Sequence, residues 1–353
     1  MSDYNSFDSG PQDPAPTRAS QAGKPKKKVW ARVLVWTLVG LFAFGAAAAG
    51  TFIYKLNSGF NQAEKLTPED TFPEETNRPA PAERPADAKH DAQNILLLGS
   101  DTRGDIGDDI DDIKGTRSDV IMVAHIPANR ESVQVISFMR DNWVEIPGHG
   151  MNKINAALAL GGVPLVVETV EGIIDTRIDH VAVVDFDGFK GLTDALGGVD
   201  LYNPTAFDSR HGRYFEAGDI TLNGEDALAF VRERYAFADG DYSRAANQQR
   251  YLKAVMSAVL SKDTLLNPAK LTSSVEALAP YLTVDDGLST TYLASLGATM
   301  PNIRAEDITF FTSPTLGTGM VGKASVVHPD WDELEVIAQH FRNDTLSEFS
   351  VRE

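Results

Sequence analysis

The chain has 353 residues, no cysteine and a formal net charge of −18 at pH 7. The lack of cysteine excludes thiol catalysis and disulfide stapling, and the excess of acid argues against nucleic acid as a partner, since duplex binding needs Lys and Arg to replace condensed counterions. The charge is partitioned: residues 1–55 carry seven Lys or Arg against three Asp, a net of +4, so the rest of the chain holds −22.

Residues 1–28 are polar, end in a basic cluster and read as a disordered cytoplasmic tail. From Val33 to Tyr54 no residue is charged. About 20 such residues cross a bilayer as a helix, so a transmembrane helix is expected over 29–55. The basic side faces the cytoplasm and the body lies outside the cell membrane. Ala46 to Ala49 offers a signal-peptidase alternative, but the run is longer than a signal core and continues through Phe52-Ile53-Tyr54. Pro68, Pro73, Pro79, Pro81 and Pro85 among charged residues predict an extracytoplasmic linker over 56–91. Residues 92–345 are then long enough for one self-supporting domain, and the chain ends too soon after its last predicted helix to add a separate C-terminal domain.

That domain opens with Asn94 to Ser100, a short apolar run that predicts a buried strand; further strands are expected at 120–126, 133–138, 181–186 and 308–311. Helical patterns cover 153–160, 164–174, 187–196, 225–231, 243–260 and 331–341. Continuous apolar strands alternating with helices predict an α/β domain with a mixed central sheet covered on both faces. No internal repeat is visible.

Several motifs are absent: no Gly-x-Ser-x-Gly, no His-Glu-x-x-His, and no histidine pair at metal-ligand spacing among the seven, so the histidines read as surface or satisfied side chains. Gly317 to Ala324 is similar to a nucleotide loop, but it lacks the Ser or Thr for magnesium and leads into Ser325-Val-Val rather than a helix, so it reads as a glycine-rich hairpin.

Charged groups gather instead at predicted strand ends, where open α/β sheets bind ligands. Asp101 and Arg103 follow the first strand, and Arg117 and Asp119 start the second. The two Asp could hold a hard divalent cation; equally, Asp101 could cap a turn and Asp119 pair with Arg117. The Asp-rich loop 105–112 lacks the pattern of an EF-hand and reads as an insertion. Arg140 and Asp141 follow the third strand. Lys153 falls in a predicted first helical turn, where a bound anion would explain a Lys; a solvated Lys is the plain alternative. Arg232 and Arg234 share a side only if the chain is extended there, which predicts that the helix ends near Val231. Arg244 and Gln248 share a helix face. Guanidinium groups so gathered in an acidic chain suit phosphate or pyrophosphate, and salt bridges to nearby acids are the alternative.

In this order the segments Leu97–Arg103, Arg117–Val123, Ser137–Asp141, Lys153–Ala157 with Gly161-Gly162, Asp194–Asp200, Ala229–Arg234 and Asp241–Gln249 resemble the LytR-CpsA-Psr family of cell-wall phosphotransferases. The resemblance implies a single α/β/α domain with core motifs over 97–260. Its donor would be a polyprenyl-pyrophosphate-linked glycan, and the glycan-1-phosphate would pass to the 6-hydroxyl of N-acetylmuramic acid in peptidoglycan. It implies Mg²⁺ or Mn²⁺ on Asp101 and Asp119. Arg103, Arg140, Arg232, Arg234, Arg244 and Gln248 would grip the pyrophosphate, with Arg117 and Lys153 as weaker contributors. Asp119, Arg140, Arg234 and Arg244 would be catalytic, with Asp119 or Asp141 taking the proton of the attacking hydroxyl. A prenyl tunnel would fall among the helices at 151–176 and 243–260, whose apolar content equally describes a core. Asn247 stands where many members carry Arg. A hydrolase of the same link and a non-catalytic wall-polymer binding module are the alternatives; a transcriptional regulator is not, because the tail has no helix-turn-helix.

Overall fold

A computed structural model of the protein describes residues 50–82, 88–100, 118–210 and 212–349. The chain divides into two compact units, 1–51 and 52–353, and the second contains every labelled element. The span expected over 29–55 lies outside the described residues up to residue 49; residues 50–60 are helical.

In chain order the strands β1 (Glu64–Leu66), β2 (Gln93–Ser100), β3 (Ser118–Ile126) and β4 (Val133–Phe138) lead to a hairpin, β5 (Trp143–Ile146) and β6 (Gly150–Lys153). Helix α1 (Ala156–Ile174), β7 (His180–Val184), α2 (Phe186–Ala195), β8 (Val199–Asn203), β9 (Phe207–Asp208), β10 (Tyr214–Phe215) and β11 (Gly218–Leu222) follow. Helices α3 (Gly224–Arg232), α4 (Asp241–Val259) and α5 (Pro268–Leu278) precede β12 (Leu282–Asp285), α6 (Thr290–Thr299) and β13 (Ile308–Thr312). The chain closes with β14 (Thr315–Val321), β15 (Ala324–Pro329) and α7 (Trp331–Arg342).

Seven strands form one sheet in the order β1-β12-β7-β2-β3-β4-β13. The sheet is mixed, as expected: β1 with β12, β2 with β7 and β4 with β13 are parallel, and the other pairs antiparallel. Alternate residues of each strand serve opposite faces. Leu96, Leu98, Ile121, Val123 and Ile136 face a core that α1 and α7 complete with Val166, Val170, Ile337 and Phe341. Met122, Ala124 and Val135 face the other way, against Leu252 and Met256 of α4. The result is an α/β/α stack whose apolar strands are covered on both sides.

Helix α1 shows why composition alone misleads. It is long and apolar enough to cross a membrane, yet 67% of that window is buried in the domain. The two helices expected at 153–160 and 164–174 join across a break at Gly161 and Gly162, where Gly162 takes φ +69° and ψ −163°, a region open to Gly.

Two expectations are corrected. The linker reading of 56–91 does not hold for its first part. Glu64–Leu66 adds a strand to the sheet, Lys65 donates to the Leu288 carbonyl, and Arg78 grips the buried Glu171. Apolar anchors at Phe60, Ala63 and Leu66 supply the burial that a free spacer lacks. Lys153 is not in a helical turn: it ends β6, because Gly148 and Gly150 take positive φ and fold 143–153 into a hairpin.

Candidate functional site

The strand register gathers the sheet's chemistry at one end. The C-terminal residues of β2, β4 and β13 pair with or lie beside the start of β3: Ser100 opposes Ser118, Phe138 opposes Ile121 and Thr312 opposes Ser137. Between Val120 (opposite Gly99) and Ser118 (opposite Ser100), β3 carries one extra residue, Asp119. Asp119 therefore sits in a β-bulge, a device that breaks the alternation of side chains where a strand meets a site. Its side chain, and the whole of Asp101, Arg103, Arg117 and the loop 105–112, lie outside the described residues.

At the end of β4 the chain turns sharply, with Asn142 N–H donating to the Met139 carbonyl. The turn presents Arg140 and Asp141 side by side. Lys153 Nζ lies 3.1 Å from Asp141 Oδ1 and Arg140 Nε 3.9 Å from the same oxygen. The backbone holds this cluster: Asn155 N–H donates to the Arg140 carbonyl, Val327 N–H to that of Asp141, and Ile154 N–H to that of Asn142. Asn142, buried, donates from Nδ2 to Ser313 Oγ at 3.3 Å, tying the turn to the end of β13. Arg140 and Lys153 thus approach the same carboxylate oxygen.

The second group of cations is built by α3, a loop and α4. Asn223 caps α3 by accepting from Asp226 N–H. The helix ends at Arg232, one residue past the expected stop, and Glu233 is extended. Glu233 is 3% exposed. Its Oε1 accepts from the backbone N–H groups of Arg234, Tyr235 and Ala236, and its Oε2 from that of Arg210. Burial opposes its charge, but these four donors prevail and hold the carboxyl below its ordinary pKa. This clamp fixes the loop that carries Arg234 and draws in Arg210 from the β9–β10 connection. The guanidiniums of Arg210 and Arg234 each lie 4.7 Å from the exposed Tyr235 ring, and Arg234 donates to the Tyr235 hydroxyl at 2.7 Å, which lowers that phenol's pKa.

Arg244 lies in the first turn of α4 and is 7% exposed, and Gln248 follows one turn on. The same half of α4 is fastened to the sheet end: Gln249 Nε2 donates to Thr312 Oγ1 at 2.9 Å, and the Tyr242 hydroxyl meets Thr315 Oγ1 at 2.7 Å. Because Ser313 lies between those two threonines and bonds Asn142, α4 and the Arg140 turn meet at one end of the sheet. The four side chains expected to converge differ in exposure: Arg232 is exposed, Arg234 and Gln248 are half-buried and Arg244 is buried.

Sequence reasoning missed Glu233, Arg210 and Asn142. A Glu between two Arg reads as their salt-bridge partner, and nothing in the sequence indicates four backbone donors. The histidines behave as expected where described in full: His125 lies between Asn94 and Asp344, and His180 pairs with Asp285 at 3.0 Å. The glycine-rich hairpin is also found, as β14 and β15 joined at Gly322. No group of three His, Asp or Glu forms a metal site among the described residues.

A profile of the LytR_cpsA_psr family matches residues 51–342. The chain is 36% identical over 220 residues to the probable cell wall biosynthesis protein LcpB of Corynebacterium glutamicum, covering 59% of this chain and 51% of LcpB. It is 32% identical over 246 residues to the polyisoprenyl-teichoic acid–peptidoglycan teichoic acid transferase TagU of Bacillus cereus, covering 69% of this chain and 77% of TagU. The alignment thus spans about half the length of LcpB. The crystal structure of B. subtilis TagV superposes with a TM-score of 0.61 at 28% identity, covering 74% of this chain and all of that one.

Proposed function

We propose, from the premise that this chain belongs to the LytR-CpsA-Psr family, that it is a membrane-anchored transferase that attaches a glycopolymer to peptidoglycan. The donor is a polyprenyl-pyrophosphate-linked glycan and the acceptor the 6-hydroxyl of N-acetylmuramic acid. The printed activity of TagU supports a reaction of this class. The observation that carries the reading is the meeting of the Arg140–Lys153 turn and the α4 half bearing Arg244 at the sheet end where β2 finishes and β3 begins.

In the proposed reaction the muramic acid oxygen attacks the phosphorus bonded to the glycan, the link to the distal phosphate breaks, and polyprenyl phosphate leaves with the electron pair. Such transfers need positioning and neutralisation of charge rather than a covalent nucleophile. Arg140, Arg234 and Arg244 with Gln248 supply donors for phosphate oxygens, joined by Arg103, Arg117 and Arg232 and, more weakly, Lys153. Asp141 is already engaged by Lys153, so the proton of the attacking hydroxyl falls to Asp119. Asp101 and Asp119 offer the hard oxygen donors Mg²⁺ prefers, and the β2–β3 register sets the chain positions next to them side by side. A bound Mg²⁺ would neutralise pyrophosphate charge there.

The test is a transfer assay with the full chain in detergent, a short prenyl-pyrophosphate glycan and a peptidoglycan oligomer, with Mg²⁺ or chelator. A metal-dependent glycan-phosphate-peptidoglycan adduct is expected. Release of glycan phosphate without adduct would identify a hydrolase, and retention of the lipid without turnover a binding module.

A further inference from the structure

Helix α4 has a second functional face. At about 100° per residue, Ser243, Ala246, Asn247 and Arg250 lie roughly a third of a turn away from Arg244 and Gln248. Together with Asn203 and Phe237 they line a half-open cavity of about 300 Å³. Asn247 is 2% exposed. Its Oδ1 accepts from Arg250 at 2.8 Å, while its Nδ2 has no hydrogen-bond partner among the described residues. Arg250 is half-buried, and no carboxylate lies within ion-pair distance of it among the described residues. Burial alone pushes its guanidinium pKa down. Asp239 also lines the cavity, but it is exposed and accepts the Ser243 hydroxyl.

The Asn203 amide N–H, the Ser243 hydroxyl and the Tyr242 hydroxyl already have partners, which leaves Asn247 Nδ2 and the Arg250 guanidinium as the donors that the lining does not satisfy. A buried amide N–H₂ without a partner and a guanidinium without a counter-charge both await oxygen that carries negative charge. The rest of the wall has the mixed character of a small-ligand pocket: the Phe237 ring, the Asn203 amide and the Tyr242 and Ser243 hydroxyls. We propose that this cavity binds an acidic saccharide unit, a sugar ring bearing phosphate or carboxylate, with Arg250 and Asn247 as the anion donors. Asn247 stands at the position where the resemblance expects Arg; Arg250, one turn on and bonded to it, restores a guanidinium but aims it at this cavity. Assigning the sugar to the transferred glycan rests on the reading above; the binding site itself does not.

The experiment is calorimetric titration of the full chain in detergent with N-acetylglucosamine 1-phosphate, glucuronic acid, inorganic phosphate and N-acetylglucosamine, repeated on Arg250→Gln, Asn247→Asp and, as a control away from both sites, Lys323→Gln. At least one acidic sugar should bind, and R250Q should weaken it tenfold or more. N247D, which nearly preserves shape and gives Arg250 an internal counter-charge, should do the same, whereas K323Q, on the exposed β14–β15 turn, should change it less than threefold. The arms also identify the acid, since preference for the phosphate or the carboxylate sugar names the glycan type. Unchanged binding in R250Q or N247D would overturn the proposal, as would failure of both acidic sugars to bind. Equal affinity for inorganic phosphate would remove the sugar from it, and equal affinity for neutral N-acetylglucosamine the charge. Acidic-sugar binding that depends on Arg250 in a protein without transfer activity would defeat only the transferase reading.

Discussion

Two guanidiniums in this domain are sheltered from water and treated in opposite ways. Arg78 meets Glu171 through both Nε and Nη2, at 3.1 and 2.5 Å, donates also to the Ile178 carbonyl, and lies over the Phe72 ring. Glu171 in turn accepts from Ile178 N–H. Among the described residues Arg250 meets only the neutral oxygen of Asn247. The first cation carries its counter-charge within the fold and works as a clasp between the early segment and α1; the second leaves its charge for a visitor. Burial of a cation does not separate architecture from recognition here. The sign of the nearest neighbour does.

The comparison can be broken most forcefully at the clasp. Arg78→Ala leaves the buried Glu171 without its counter-charge and should cost about 3–5 kcal/mol in urea unfolding, while Arg78→Met with Glu171→Leu should recover most of it. A single variant no less stable than wild type would remove the clasp from the account. At the sheet end the readout should move from stability to rate. Arg140→Ala should lower transfer roughly 10²–10³-fold, the scale for losing one donor to developing charge, with the melting temperature little changed. Glu233 tests a third arrangement, a carboxylate held by backbone donors. Glu233→Ala should cost about 1–3 kcal/mol by leaving those N–H groups without their acceptor. Its pKa is depressed in the fold, so its contribution is complete above the unfolded value of about 4.3 and disappears as pH falls through the lower folded value. The difference between wild type and variant should therefore shrink in acid titrations below about pH 4. The smallest effect should come from converting one treatment into the other: Asn247→Asp supplies Arg250 with an internal partner but buries a second charge, so gain and desolvation cost nearly offset and stability should change by less than about 1 kcal/mol.

The central strands were legible because each is a compact apolar run. β4 is predicted residue for residue, and β2 and β3 within two residues at each end. α3, α4 and α7 were legible from their period and from the stop at the Arg-Glu-Arg segment. Edge and hairpin strands were not. β1 has three residues in a charged, proline-bearing stretch, and its partner Thr283 lies 219 positions from Glu64, so no local pattern announces it. The β5–β6 hairpin did leave a signal, Pro147-Gly148-His149-Gly150, a turn sequence, but the helical pattern of 153–160 overlaps the last residue of β6 and hides where the hairpin ends. At the site, the sequence shows which residues carry charge but not which charges are already spent. Asp141 absorbing Lys153 and Glu233 absorbing four amides are facts of packing alone.

The parallel pairs at the two margins of the sheet bear on how the domain comes into being. β1 waits for β12, and β4 waits for β13, whose residues 308–312 emerge after most of the chain has been made. Closing such long loops is slow, and contacts of high sequence separation delay folding. A nascent chain lacking residues beyond 280 has neither margin in place and exposes the apolar flanks of β4 and β7 as bare edges, the kind that pair with the wrong neighbour. The domain is therefore completed late, and a truncation that removes the residues beyond 280 should produce an aggregate rather than a weakened domain.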